Sequence, residues 1–74
     1  MAAAYFRVIF PGGSGYVHGG NKSEIRDSVD DFLEKHLPPG TIIEFFWGSS
    51  RKCKKVIRYT RRGYVVISAR EFEI

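Results

Sequence analysis

Three groups of side chains in this sequence have types and spacings that could do chemistry. The first is a thiol with two imidazoles: Cys53, His18 and His36. A cysteine beside a histidine makes a nucleophile–base pair, and flanking lysines lower a thiol's pKa. Nothing in the spacing orients a base toward Cys53, and strand alternation sends it inward as a small buried residue. His36 falls on the apolar stripe of a helix, the place of a histidine at a core boundary. The two histidines and the cysteine stand about 18 residues apart, which does not suit a structural zinc site. No metal, cofactor or catalytic residue is expected.

The second group is cationic. Arg51, Lys52, Lys54, Lys55, Arg58, Arg61 and Arg62 follow one another with no acid among them. Such side chains neutralise phosphates, and neighbouring rings, here Tyr64 or Phe46, stack on bases. Arg51, Lys52, Lys54, Arg58, Arg61, Arg62 and Tyr64 are the candidate contacts for nucleic acid or another partner. The plainer reading is a basic strand that guards a sheet edge against aggregation. No aromatic RNA-recognition motif or zinc-finger spacing accompanies the run.

The third group is acidic. Asp27, Asp30, Asp31 and Glu34 cluster on one side of a helix at about 100° per residue. Acids on successive turns lie about 5–6 Å apart, close to the spacing of phosphates along a strand. These four can imitate a nucleic-acid backbone and occupy a basic groove, or they can simply keep an outward helical face soluble.

The elements that must position these groups are legible from periodicity. Tyr5 to Phe10 alternates as a strand, and Pro11 ends it by removing a ladder donor. Residues 11–20 hold five of the eight glycines, with Tyr16-Val17-His18 as a short strand folding back on the first. Gly15, Gly20 and Lys22-Ser23 approach a phosphate-loop pattern, but Asn21 breaks it, so the stretch reads as a flexible connector or a partner-contacting loop.

Asn21 to Leu37 reads as the only helix. Asn21 is its N-cap, with Glu24 at capping-box spacing, and Ile25, Val29, Phe32, Leu33 and His36 form its buried stripe. Pro38-Pro39-Gly40 turns the chain into a strand from Thr41 to Trp47. Lys52 to Thr60 follows as a strand with Cys53, Lys55, Ile57 and Tyr59 on one face. Arg61-Arg62-Gly63 suits a three-residue bulged loop, which sets Tyr59 opposite Val65, Ile57 opposite Ile67, Arg58 opposite Val66 and Lys54 opposite Arg70. The last strand, Tyr64 to Ile74, changes parity near Arg70.

The expected fold is therefore α+β, residues 1–74 as a single domain. One helix packs on a mostly antiparallel four- or five-stranded sheet in the order β-α-β-β-β, with or without a short extra strand before the helix. The helix covers Phe6, Val8, Ile43, Phe45, Ile57 and Val65. The opposite sheet face, with Lys54, Arg58, Thr60, Val66 and Arg70, is open.

Composition bounds the function classes. With 43% hydrophobic residues and a net charge of +4, the chain has material for a core and is not disordered. A single cysteine excludes an internal disulfide. No run of about 18 apolar residues spans a membrane, and the start lacks a signal-peptide pattern. A cytoplasmic protein, monomer or homodimer, without a membrane partner is expected.

In size and charge layout the chain resembles the small inhibitors carried by phages and mobile elements, such as anti-CRISPR proteins. That resemblance implies a non-catalytic inhibitor or adaptor of nucleic-acid machinery, with a protein or nucleoprotein target. Direct DNA or RNA binding by the basic hairpin is the alternative. A third reading comes from Tyr59-Thr-Arg-Arg-Gly-Tyr-Val-Val-Ile-Ser-Ala-Arg70, which resembles the closing strands of RelE-like toxin ribonucleases. It implies roles for Arg58, Arg61, His18 and Tyr64 in phosphate stabilisation and proton transfer.

Overall fold

The structure, a computed structural model, describes residues 4–47 and 53–68, and within these the side chains of all but Lys54 and Ser68. The order is β1 (Ala4–Ile9), β2 (Gly15–Gly20), α1 (Lys22–Leu33), β3 (Ile42–Phe46), β4 (Cys53–Thr60) and β5 (Gly63–Ser68). All neighbouring strands are antiparallel, in the spatial order β2-β1-β3-β4-β5. One helix on a five-stranded sheet is the two-layer α+β arrangement expected, with the short strand before the helix present.

Strand β2 pairs with β1 along its whole length, from Ala4 opposite Gly20 to Ile9 opposite Gly15. The pairing needs Gly15: a Cβ there would stand 1.8 Å from the Val8 carbonyl oxygen. Strand β3 takes the other side of β1, with Phe6 opposite Phe45 and Val8 opposite Ile43. These four side chains are buried on the helix side, where they meet Ile25, Val29 and Phe32 of α1. The aromatic rings interlock edge-on, Phe6 with Phe32 at 5.1 Å and Phe32 with Phe45 at 6.0 Å, a geometry that suits their quadrupoles.

The helix begins as expected. The Asn21 side chain accepts a hydrogen bond from the Glu24 amide at 2.9 Å, and its own amide group donates to the Glu24 carboxylate. It ends a turn early, at Leu33. The Glu34 amide bonds Asp31 O at 3.2 Å and the Lys35 amide bonds Phe32 O at 3.1 Å, tightening the last turn. The buried Tyr59 hydroxyl of β4 also donates to Phe32 O, so a strand side chain satisfies a carbonyl at the helix end. His36 thus lies beyond the helix and is exposed, not part of the buried stripe.

Two register details overturn expectations about the hairpin. A bulge between Phe45 and Phe46 pairs Phe45 with Lys55 but Phe46 with Cys53. Lys54 is the extra residue, and Cys53 joins the face of Phe46 instead of pointing toward the helix. At the far end Arg61 and Arg62 form a two-residue turn, with Thr60 opposite Gly63 and Gly63 at φ 127°. Tyr59 therefore faces Tyr64, Arg58 faces Val65 and Ile57 faces Val66. A one-residue slip exchanges the faces of a strand. Val65 and Ile67 lie on the side away from the helix, and Tyr64 and Val66 lie on the helix side. Arg70 and the parity change beside it lie outside the described residues.

Candidate functional site: the seam between helix and hairpin

Helix α1 packs on β1, β2 and β3, which leaves the β5 edge of the sheet uncovered. Tyr64 and Val66, though on the helix side, are 45% and 43% exposed. A seam follows between the helix and the hairpin, with a cavity at each end. The larger, about 700 Å³, is lined by Lys22, Arg26, Asp27, Asp30, Trp47 and Lys55 among others. Lys22 and Arg26 are four residues apart and so share one flank of the helix. Lys55 reaches the same cavity because strand alternation turns it toward α1. Both signs of charge meet here, and they offset each other.

The smaller cavity, about 320 Å³, lies at the helix C-terminus and takes in Leu33, Leu37, Pro39, His36, Tyr59, Tyr64 and Arg61. The two tyrosine rings stand edge to face at 6.5 Å, a consequence of the two-residue turn that sets them opposite each other. Burial raises the pKa of Tyr59, and the neighbouring Tyr64 raises it further, so Tyr59 stays a neutral hydrogen-bond donor. Among the described residues no acid lines this cavity.

The candidate acids stay together. Asp27, Asp30, Asp31 and Glu34 are all exposed, because Ile25, Val29 and Phe32 fix the phase of the helix and the 3.6-residue period turns these four outward. The ion pair among the described residues is Arg7–Glu44, at 2.7 Å. It joins neighbouring strands, and none of the four helical acids takes part in it.

The candidate cations do not stay together. Arg58 is exposed on the face away from the helix, Lys55 lines the helix-side cavity, and Arg61 and Arg62 form the hairpin tip. Arg51, Lys52 and the side chain of Lys54 lie outside the described residues. The face away from the helix differs from the basic surface expected there. Val66 is absent from it, and Tyr5, Arg7, Glu44, Phe46, Val56 and Arg58 make up its centre. Phe46 is buried, stacked on Tyr5 at 4.5 Å with the Arg7 guanidinium 5.7 Å from its ring, so it offers no face to a base.

The thiol and imidazoles are scattered. Cys53 sits on the Phe46 face near Glu44 and Arg7, and burial pushes its thiol up, so it is neutral near pH 7. His18 packs at 5.3 Å on Phe6, on the opposite face of the sheet. His18 on β2 and Tyr64 on β5 also occupy opposite edges of the sheet, four strand spacings or roughly 19 Å apart. Arg58, Arg61, His18 and Tyr64 are therefore not gathered into one centre. Among the described residues no three His, Cys, Asp or Glu side chains group as a metal site, and no helix is long and apolar enough to cross a membrane.

Sequence reasoning missed Tyr59 as the link to the helix end, and missed the Arg7–Glu44 pair. The flank of Lys22 and Arg26 was legible from their spacing. The other two depend on which strands become neighbours, which no local pattern states. Compared with family models, with curated proteins and with solved structures, the chain matches none.

Proposed function

We propose that this protein is a small cytoplasmic binding module, not a catalyst. It acts on nucleic-acid machinery as an inhibitor or adaptor by docking on a protein or nucleoprotein surface. One observation carries the reading: Asp27, Asp30, Asp31 and Glu34 are all exposed on α1 and outside any ion pair among the described residues, with Asp27 and Asp30 also at the rim of the larger cavity. Their spacing of about 5–6 Å on successive turns suits a groove built to hold phosphates. Direct binding through the hairpin has less support, because Lys55, Arg58 and the Arg61–Arg62 tip do not share a face.

The test is competition. A partner captured from source cells by the wild-type protein should be released by added duplex DNA or structured RNA. It should not bind a triple variant Asp27→Lys, Asp30→Lys, Asp31→Lys, while a variant with Arg58→Glu and Arg61→Glu still binds. The opposite pattern, loss of binding with the arginine variant and retention with the aspartate variant, defeats the reading and favours the hairpin.

A further inference from the structure

We propose that the cavity between the helix end and the hairpin turn binds a nucleoside monophosphate group, either free or at the end of a single strand. This site is distinct from the acidic helix face and does not depend on it.

The cavity has two kinds of wall. Leu33, Leu37 and Pro39 are apolar, and Tyr59 and Tyr64 add two aromatic rings. Rings stack on a base regardless of its identity, and Tyr64, being 45% exposed, presents a free surface for such stacking. The polar members are Lys35, His36, Thr60 and Arg61, of which Lys35, His36 and Arg61 are exposed. An arginine matches the geometry of a phosphate with parallel N–H donors. Among the described residues the lining holds no carboxylate, and Lys35 and Arg61 offset the partial negative charge of the helix C-terminus. The larger cavity, by contrast, holds Asp27 and Asp30 beside its cations.

Size narrows the ligand. A volume of about 320 Å³ is at the lower end of small-molecule sites, about 300–1,000 Å³. It suits one base with its sugar and phosphate, not a stretch of strand. The site is also preorganised. The Tyr59 hydroxyl is held by the Phe32 carbonyl, its amide donates to Thr41 O at 2.9 Å, and its carbonyl accepts from the Gly40 amide at 2.9 Å. The ring that forms the inner wall is fixed before any ligand arrives, which lowers the entropy lost on binding.

The experiment is an amide-resolved NMR titration of the whole chain with uridine and adenosine monophosphates, uridine, inorganic phosphate, and a short single strand with and without a 5′-phosphate. Saturable shifts centred on Leu37, Arg61, Gly63 and Tyr64 are expected with both monophosphates. Uridine or phosphate alone should bind at least about tenfold more weakly. A phosphorylated strand that binds more tightly than the free nucleotide identifies the strand end as the source, and equal binding identifies the free nucleotide. Arg61→Glu and Tyr64→Ala replace exposed side chains, so the spectrum should stay folded while affinity falls at least about tenfold. Asp27→Lys should change nothing here. The proposal is overturned if no monophosphate gives saturable shifts up to about 10 mM, if the shifts centre elsewhere, or if Arg61→Glu binds as well as wild type.

Discussion

The helix and the hairpin carry opposite charges, and the fold treats them differently. On α1 the acids come out where the sequence places them, side by side on the outward face. On β4 and its turn, the described members of the basic run, Lys55, Arg58, Arg61 and Arg62, are dealt out over both faces of the sheet and the hairpin tip. Helical phase is local: a few buried side chains fix the rotation of every other residue. Strand facing depends on pairing with a distant segment, and a single bulge or a turn shorter by one residue reverses it. A charged helix therefore predicts a charged surface more safely than a charged strand does.

The sharpest way to test that contrast is the hairpin register. In a Cys53→Ser background, Arg58→Cys with Val65→Cys should oxidise to a disulfide nearly completely, because directly opposed residues have Cα atoms about 4.5–5.5 Å apart. Arg58→Cys with Val66→Cys should stay reduced, since those side chains leave opposite faces. Mass spectrometry after mild oxidation reads both, and a bridge in the second pair alone would restore the three-residue loop.

Next comes the anchor of the helical phase. Phe32 is 3% exposed and touches both Phe6 and Phe45. Phe32→Ala should cost about 3–5 kcal/mol in urea unfolding, a large part of the total in a domain this small. A loss below about 1 kcal/mol would mean that the helix is not held by this stripe.

The smallest effect lies where the two regions touch. Tyr59→Phe removes the hydroxyl donated to Phe32 O and should cost about 0.5–1.5 kcal/mol. It should also change the response to alkali. The folded-state pKa of Tyr59 is raised, chiefly by burial. Its contribution is therefore fully present below the unfolded tyrosine value of about 10 and is lost as pH rises through the folded value. The stability gap between wild type and Tyr59→Phe should shrink above about pH 10; a constant gap would show that this hydroxyl does not titrate differently in the folded chain.

The limits of legibility follow the same physics. Asn21 and Glu24 are three residues apart, so the cap was readable from the sequence. Leu33 to Leu37 kept apolar spacing, yet the helix stops at Leu33, where the distant Tyr59 hydroxyl meets the Phe32 carbonyl. At Tyr64-Val65-Val66-Ile67 four bulky residues run without polar alternation. Either facing sets apolar against apolar; Gly63 suggested a three-residue loop with Val65 and Ile67 inward, and the two-residue turn chose the other. Cys53 alternates inward on paper, but the bulge at Lys54 carries it to the other side.

By itself, the sequence determined the α+β class, the helix start and the outward acidic row, because each arises from contacts within a few residues along the chain. Only the tertiary structure decided which way β5 faces, where the basic residues emerge, and that Tyr59, Tyr64 and Arg61 share a cavity with the helix end. Those outcomes depend on strand pairing and on one helix being too narrow to cover five strands, and neither is written in any local stretch of residues.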